Sequence, residues 1–193
     1  DTFVHVMEQY ATRNVNTPLQ DLSALAIIRT LIQEAPKVMA DPNNYDARAN
    51  LCWCATLGLN GWLGLGCVQD WATHMIGHEL TAKYGLDHAQ TLAIVMPRVW
   101  EYEFAAKKAK LALMAREVWH SCECGEDQAA QAAIANTVNF FASLGVKTDL
   151  AGYGIDAAQA AKKVRQRLAV RKVKLGENGD IDGKAAEKIL LNC

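Results

Sequence analysis

Apolar residues recur every three or four positions along most of the chain, and polar residues fill the positions between them. This spacing places the apolar side chains on one face of a helix. Runs in which β-branched residues alternate with polar ones, which would indicate strands, are lacking. The pattern therefore predicts an all-α protein with eight or nine helices in one domain, residues 1–193. The predicted helices cover residues 1–12, 18 through at least 31, 46–59, 71–84, 87–97, 101–119, 127–144, 156–173 and 182–191, and the helix from Asp87 is expected to bend or end near Pro97.

The stretch Trp71–His88 carries three of the five histidines, and it is predicted to form one helix, a stop and the start of the next helix. Asp70 is a suitable N-cap for the first helix, because a carboxylate accepts hydrogen bonds from the free N–H groups of the first turn. Gly85 can adopt the left-handed conformation in which many helices end, and Asp87 is a suitable N-cap for the second helix. The two helix ends are therefore expected to bring imidazoles together.

Several side chains on the predicted helices could bind a metal ion. His74 and His78 are four residues apart and project from one helix face, while His88 lies in the first turn of the next helix. Asp1 and His5 are also four residues apart, on the first helix. A carboxylate and several imidazoles suit Fe(II) or Zn(II) and do not select between them.

Two other interpretations of the histidines stay open at this point. A histidine pair at this spacing, taken alone, is more often a partly buried, hydrogen-bonded pair than a metal site. His74, His78 and Glu79 could also form a hydrolytic zinc site. That chemistry uses the order His-Glu-x-x-His to place the glutamate as a base, and the order here is different.

Composition and charge limit the classes of function. The 193 residues are 51% apolar and 21% charged, as in an ordinary globular protein. The formal net charge of -1 gives no global reason to bind nucleic acid or an anionic membrane, so neither is expected as a partner. No apolar run approaches the roughly 20 residues that span a bilayer. No secretory signal is visible, which favours a cytoplasmic setting, although the chain opens at Asp1 without a methionine.

The six cysteines do not resemble a secreted disulfide framework, which also favours a reducing compartment. Cys52 and Cys54 lie in a helical stretch and are predicted to be small buried hydrophobic residues. Cys122 and Cys124 could hold a soft metal, but a second ligand pair at zinc-ribbon spacing is missing.

Three further patterns are given structural interpretations. The basic run 162–174 is predicted to be a solvated helix face, because no aromatic residues accompany it. Gly152–Ala157 matches a loose dinucleotide-binding pattern, but no strand precedes it, so a turn before a helix cap is expected. Asn178–Gly183 resembles the start of a calcium loop, but Ile189 stands where the bidentate glutamate is needed, and we reject that site.

The sequence resembles the signature of the iron-dependent (group III) alcohol dehydrogenases in two motifs. The first motif is Asp1–Tyr10, and the second is His74–Leu80 followed by Gly85–His88. The most similar branch is that of NADPH-dependent aldehyde reductases and butanol dehydrogenases. That family usually has Pro-His-Gly around the last histidine, whereas Asp87-His88-Ala89 here suits the aldehyde-reductase branch. The resemblance covers essentially the whole chain, since it extends through Tyr45–Asn50, Asp70–His74, Leu92–Val95 and Leu175–Asn178.

The resemblance implies a ligand set and a fold. It implies that Asp1, His5, His74 and His88 hold a catalytic divalent metal, Fe(II) or Zn(II). It implies that His78 lies near the nicotinamide and the substrate, as a catalytic and cofactor-binding residue rather than a ligand. The implied fold is the multihelical C-terminal domain of dehydroquinate synthase-like and iron-containing alcohol dehydrogenases. NADP(H) or NAD(H) would be bound mainly by an N-terminal dinucleotide-binding domain that is absent from this chain.

The implied function is that of the metal-binding catalytic half of an NAD(P)H-dependent alcohol dehydrogenase or aldehyde reductase. It would transfer hydride between a nicotinamide and a primary alcohol or aldehyde, and the isolated chain is expected to be inactive. Trp62, Leu65 and Trp71 are candidates for apolar pocket walls. A homodimer or self-association is expected, because cutting a protein between domains exposes apolar surface. The alternative is a stand-alone helical metal-binding module without catalysis.

Overall fold

The computed structural model describes residues 1–122 and 125–193. Within these ranges the chain is all-helical, as predicted, and its β pairing amounts to one isolated bridge between Leu175 and Ile181. None of the described helices is both long and apolar enough to cross a membrane. A 3₁₀ turn, Ala151–Tyr153, lies between the seventh and eighth of the α-helices. These are α1 Thr2–Tyr10, α2 Pro18–Ala40, α3 Tyr45–Leu59, α4 Ala72–Tyr84, α5 His88–Tyr102, α6 Phe104–Glu117, α7 Glu126–Ser143, α8 Ala157–Arg171 and α9 Gly183–Leu190.

Several helix ends have the caps that the sequence predicts. Asp87 forms a capping box with Gln90 at the start of α5, and Gly85 ends α4 in the left-handed conformation with φ 69°. The side chains of Asp156 and Asp182 accept hydrogen bonds from the first turns of α8 and α9. The 3₁₀ turn precedes the first of these caps, so the expected turn in Gly152–Ala157 is confirmed.

Two predicted helix ends are wrong. The N-cap of α4 is Trp71, which is left-handed with φ 62°, rather than Asp70. Asp70 still serves this helix end, because its Oδ1 accepts the N–H of Ala72 at 2.8 Å. The helix that was expected to bend or end near Pro97 continues to Tyr102. Pro97 is buried in tightly packed surroundings, and packing there outweighs the loss of one intrahelical hydrogen bond.

Helix α5 lies between two hydrophobic cores. The first core is built mainly from α1, α2, α3, α6 and α7, and the second from α4, α8 and α9. The central run of α5, residues 91–97, is buried, as is typical of a helical stretch that is apolar around most of its circumference, whereas the two ends of the helix are partly exposed. Its residues Leu92, Met96 and Trp100 pack into the first core, and Ile94, Val95 and Val99 pack into the second.

Gly77 allows α4 to approach α5 closely. A Cβ atom at this position would lie 3.0 Å from Oγ1 of Thr91 and 3.1 Å from a methyl carbon of Leu92. Both distances are tighter than ordinary contacts, so a larger residue would push the helices apart. The close approach brings the face of α4 that carries His78 towards the first turn of α5, where His88 lies.

The cysteine predictions have mixed outcomes. Cys54 is buried, as predicted, whereas Cys52 is exposed and that prediction is wrong. The two residues are two positions apart on α3, so they face different sides of the helix, and only one side meets the core. Cys122 is exposed, and Cys124 lies outside the described residues, so the possible soft-metal pair is not described.

The basic run on α8 is a solvated face with one structural role. Its charged residues are exposed, as predicted. However, Arg167 and Arg171 both form ion pairs with Glu79, whose side chain on α4 is only 3% exposed. These two arginines therefore connect α8 to α4 by compensating a buried negative charge.

Replacing both Arg167 and Arg171 by alanine is expected to lower the free energy of unfolding by about 3 kcal/mol, because a buried carboxylate is left without a counter-charge. The matched control is Arg165→Ala, which removes a more exposed pair with Glu187 and should cost less than about 1 kcal/mol. Urea denaturation of the three proteins measures the difference. Equal losses in the control and the double variant would contradict a special role for the Glu79 pairs.

Candidate metal centre

Side chains from the start of α1, from α4 and from the start of α5 meet at one point. Oδ1 of Asp1 lies 3.6 Å from Nδ1 of His5, 3.4 Å from Nε2 of His74 and 3.8 Å from Nε2 of His88. Asp1 and His5 are one helical turn apart, and His74 and His88 lie near the starts of their own helices. The residues that the sequence analysis proposes as ligands are therefore neighbours in space.

Three of these residues have the mutual spacing that a bound cation requires. Asp1, His74 and His88 each offer one ligand atom, and these atoms all lie within 4.8 Å of one another. Ligands about 2.1 Å from a tetrahedral metal are separated by roughly 3.4 Å. The observed distances to Asp1, 3.4 and 3.8 Å, are close to this value.

His5 lies beside this group of three but outside it. Its ring stacks on that of His74, with the centroids 4.4 Å apart and an angle of 19° between the planes. Trp71 contacts the same two imidazoles edge-on, with its centroid 5.4 Å from His74 and 6.1 Å from His5. The indole thus covers one side of the site. The other two suggested pocket residues, Trp62 and Leu65, are exposed in the loop before α4.

Two buried histidine nitrogens at this site lack a hydrogen-bond partner among the described residues. Nε2 of His74 is buried and has no hydrogen-bond partner among the described residues, although it faces Asp1. Nδ1 of His88 is also buried without such a partner. Buried polar atoms are nearly always hydrogen-bonded, so an orphan atom in a native structure needs an explanation. A divalent cation at Nε2 of His74 would satisfy that atom, and we conclude that the donor set fits a metal.

Glu8 holds His74 in place. This buried carboxylate, 4% exposed, contacts Nδ1 of His74 through Oε2. Its other oxygen, Oε1, accepts the backbone N–H groups of Thr73 at 2.6 Å and His74 at 3.4 Å. A carboxylate at Nδ1 favours a proton on that nitrogen and leaves the lone pair of Nε2 free for a metal, an arrangement common around histidine ligands.

Sequence reasoning missed Glu8, although a signal was present. Glu8 lies three residues after His5 and seven after Asp1, so it belongs to the same face of α1. Burial raises the pKa of Glu8, whereas the hydrogen bonds from His74 and from Thr73 act in the opposite direction. The hydrogen bonds from His74 and Thr73 therefore limit the rise in the pKa of Glu8 that burial causes.

The imidazoles of His5 and His88 are held in the neutral form. Burial, followed by the nearby imidazole of His74, lowers the pKa of His5 to about 4. Burial and the neighbouring ring of His78 also lower the pKa of His88. A histidine must be neutral to bind a metal, and these shifts keep both rings neutral at physiological pH.

His78 lies at the edge of the site and is exposed. Its ring is parallel to that of His88, with the centroids 4.6 Å apart and 7° between the planes, and its centroid is 6.3 Å from that of His74. Glu79 is ion-paired with Arg167 and Arg171 on α8. This glutamate is therefore engaged away from the histidines, which argues against the hydrolytic interpretation.

Comparison with known proteins identifies the family. A model of the C-terminal part of the Fe-containing alcohol dehydrogenase family matches residues 1–179. The chain belongs to this family. Relatives of the chain include the NADPH-dependent aldehyde reductase YqhD of Escherichia coli, 48% identical over 189 residues, which cover 98% of this chain and 49% of that enzyme. A probable NADH-dependent butanol dehydrogenase of Bacillus subtilis is 36% identical over 161 residues, 82% of this chain and 42% of that protein.

Two solved structures contain the fold of this chain. The substrate- and cofactor-free form of the E. coli aldehyde reductase YqhD superimposes with a TM-score of 0.94 at 47% identity, over 98% of this chain and 50% of that chain. The NADH-dependent butanol dehydrogenase A of Thermotoga maritima superimposes with a TM-score of 0.88 at 27% identity, over 98% of this chain and 49% of that chain. The chain thus spans about half the length of the relatives it matches. The expected family and helical fold are confirmed.

Proposed function

We propose that this chain is the metal-binding catalytic part of an NAD(P)H-dependent aldehyde reductase or alcohol dehydrogenase. The observation that carries the proposal is the convergence of Asp1, His74 and His88 around the buried, unpartnered Nε2 of His74. A carboxylate and neutral imidazoles at this spacing form a donor set for a divalent cation. The relatives' names, aldehyde reductase and butanol dehydrogenase, support a small aldehyde or primary alcohol as the substrate.

Four residues are assigned to the metal in this proposal. Asp1, His74 and His88 would hold Fe(II) or Zn(II), and His5, 3.6 Å from the same carboxylate oxygen, would complete the set. When bound, the metal supplies Lewis-acid polarisation of the substrate oxygen, and a nicotinamide supplies or accepts hydride. The proposal treats residues 1–193 as one helical unit and assigns most nicotinamide contacts to an N-terminal half like that of the relatives.

The chain's own residues have separate tasks. Glu8 accepts the Nδ1 proton of His74 and so fixes the direction in which Nε2 points. Trp71 shields one side of the histidine cluster from water. His78 is exposed beside His88, and a ring nitrogen of His78 could give a proton to the substrate oxygen or take one from it. It therefore has the position of a catalytic residue on the open side of the site.

A chimera tests the proposal directly. This chain would replace the matched half of the E. coli aldehyde reductase, and NADPH-dependent reduction of a short aldehyde would be measured after loading with Fe(II) or Zn(II). Activity in the chimera, its loss on metal removal and recovery on reloading are expected. Stoichiometric metal binding without activity would instead favour a non-catalytic metal-binding module.

Replacing His78 by alanine in the chimera is expected to lower kcat by about 100-fold or more, because general acid–base catalysis contributes on that scale. Metal content should stay at the wild-type level, since His78 is not among the four residues assigned to the metal. Steady-state kinetics and metal analysis on the same preparation measure both quantities. Unchanged kcat would remove His78 from the proposed mechanism.

A further inference from the structure

A second cluster of buried charges lies around Lys107 on α6. The side chain of Lys107 is 2% exposed, and its ammonium donates hydrogen bonds to Oδ2 of Asp70 at 2.7 Å and to the backbone carbonyl of Ala11 at 2.9 Å. Carboxylate oxygens of Glu103 and Glu177 lie 3.1 and 3.7 Å from the same nitrogen. One buried cation thus meets three carboxylates from three parts of the chain.

The cluster holds Lys107 in its charged form. Burial alone would lower the pKa of Lys107, but the carboxylates of Asp70 and Glu103 outweigh it, and the pKa lies above its ordinary value. A buried lysine is rare unless it is paired. Burial, with a smaller contribution from the negative charge of Asp70, raises the pKa of Glu103 although the ammonium of Lys107 acts in the opposite direction.

Lys107 joins the end of α1 to the beginning of α4. Ala11 is the C-cap residue of α1, and a lysine at a helix C-terminus satisfies a free carbonyl and interacts favourably with the helix dipole. Asp70, the other partner, uses Oδ1 to accept the N–H of Ala72 in the first turn of α4. The backbone N–H of Asp70 also donates to the carbonyl of Glu8 at 2.9 Å.

The C-terminal segment reinforces the same junction. Oε2 of Glu177 accepts the backbone N–H of Arg13 at 2.9 Å, just beyond the end of α1. The guanidinium of Arg13 donates to Oδ1 of Asn178 at 3.1 Å. The segment Leu175–Asn178 therefore contacts both the end of α1 and, through Glu177, the ammonium of Lys107.

These contacts matter for the metal centre because its ligands are divided between the joined helices. Asp1 and His5 belong to the start of α1, whereas His74 lies in the first turn of α4, two residues after Ala72. Metal–ligand distances vary by only about 0.2 Å around their usual values, so a metal site requires closely defined positions of its ligands. A shift of α4 along or around its axis would therefore separate His74 from Asp1 even if both helices stayed folded.

We infer that Lys107 is a positioning residue of the metal centre, which acts through Asp70 to fix the first turn of α4, and hence His74, relative to α1. The inference rests on the proposed function, since it takes the histidine cluster to be a metal site. It assigns a role to a residue that touches neither metal nor substrate. In the sequence, Lys107 is one of several lysines on a charged helix.

The test compares Lys107→Met with Lys110→Met. Lys110 is a second buried lysine on α6, paired with Asp21 on α2 and 5.1 Å from the ring centroid of Tyr10. Both variants should be less stable in urea. Only Lys107→Met should bind Co(II) more weakly, by about 10-fold, the lower end of the loss expected when a residue that supports a metal ligand is removed, and should change the absorption spectrum of bound Co(II). The spectrum reports the geometry of the ligands and would not respond to a loss of stability alone.

A second variant keeps the inference testable if Lys107→Met does not fold. Lys107→Met with Asp70→Asn removes the carboxylate that lies closest to the lost ammonium, which leaves fewer uncompensated charges, while the amide oxygen of the new side chain could still accept the N–H of Ala72. Weak Co(II) binding and an altered spectrum are again expected. If a folded Lys107 variant had the Co(II) affinity and spectrum of the wild type, the inference about Lys107 would be wrong and the proposed metal site would stand. Equal changes in Lys110→Met would have the same consequence. A wild-type chain that binds no Co(II) would overturn the proposed metal site and this inference with it.

Discussion

Replacing His74 by alanine is expected to lower the affinity of the chain for Zn(II) or Fe(II) by more than about 100-fold, since loss of an outer-shell partner alone costs about 10–100-fold and this change removes a ligand. His74 lies at the centre of the cluster. Its Nε2 is 3.4 Å from Asp1, and its ring centroid is 4.4 Å from that of His5 and 5.3 Å from that of His88. Alanine at this position would remove the imidazole nitrogen that lies closest to Oδ1 of Asp1 and leave three of the four assigned donors.

His78→Ala is the matched control for this prediction. His78 is an imidazole on the same helix, one turn away, but it is exposed and lies outside the group of three. Its removal should leave the metal content unchanged. Metal analysis after dialysis, with the unfolding of the metal-free proteins measured in parallel, separates lost ligands from lost structure. Equal metal loss in both variants would show that the ligand assignment is wrong.

The helices could be predicted from the sequence because their signals are local. An aspartate three residues before a free N–H group, as at Asp156, or a glycine after the last apolar position, as at Gly85, acts within one turn of its own helix. No distant part of the chain is needed to interpret these signals. The order of the nine described helices follows from them together with the apolar spacing.

The errors occurred where distant residues decide the outcome. Asp70 was predicted to be an N-cap, but its carboxylate is also the partner of Lys107, thirty-seven positions away, and Trp71 takes the cap position. Pro97 was predicted to disturb a helix, but the two cores on either side of α5 hold that helix together. In each case tertiary contacts outweigh a local preference.

In the candidate site, too, local spacing could be interpreted from the sequence, whereas contacts between distant residues could not. The spacing of Asp1 with His5, and of His74 with His78, placed each pair on one helix face. Spacing could not say that one histidine of the second pair is buried and the other exposed, because that depends on where α1 crosses α4. Glu8 was missed for the same reason, since its partners Thr73 and His74 are more than sixty positions away.

Replacing Glu8 by glutamine is expected to weaken metal binding by about 10–100-fold. Glutamine has the same shape, and its oxygen can still accept the backbone N–H groups of Thr73 and His74. The amide is neutral, however, so it binds the Nδ1 proton of His74 less strongly and makes Nε2 a poorer ligand. The amide can also turn its NH₂ group towards His74, which would favour the wrong tautomer.

Glu79→Gln is the control for Glu8→Gln, because it neutralises a carboxylate that is equally buried but pairs with Arg167 and Arg171 instead of a histidine of the cluster. Both variants are expected to unfold at lower urea concentrations than the wild type. Chelator competition with Zn(II) should show weaker binding for Glu8→Gln alone. An NMR spectrum of the metal-free proteins should show Nδ1-protonated His74 in the wild type and in Glu79→Gln, with that tautomer depleted in Glu8→Gln. Wild-type Zn(II) affinity in Glu8→Gln would mean that the position of His74, rather than the charge on its partner, governs the metal centre.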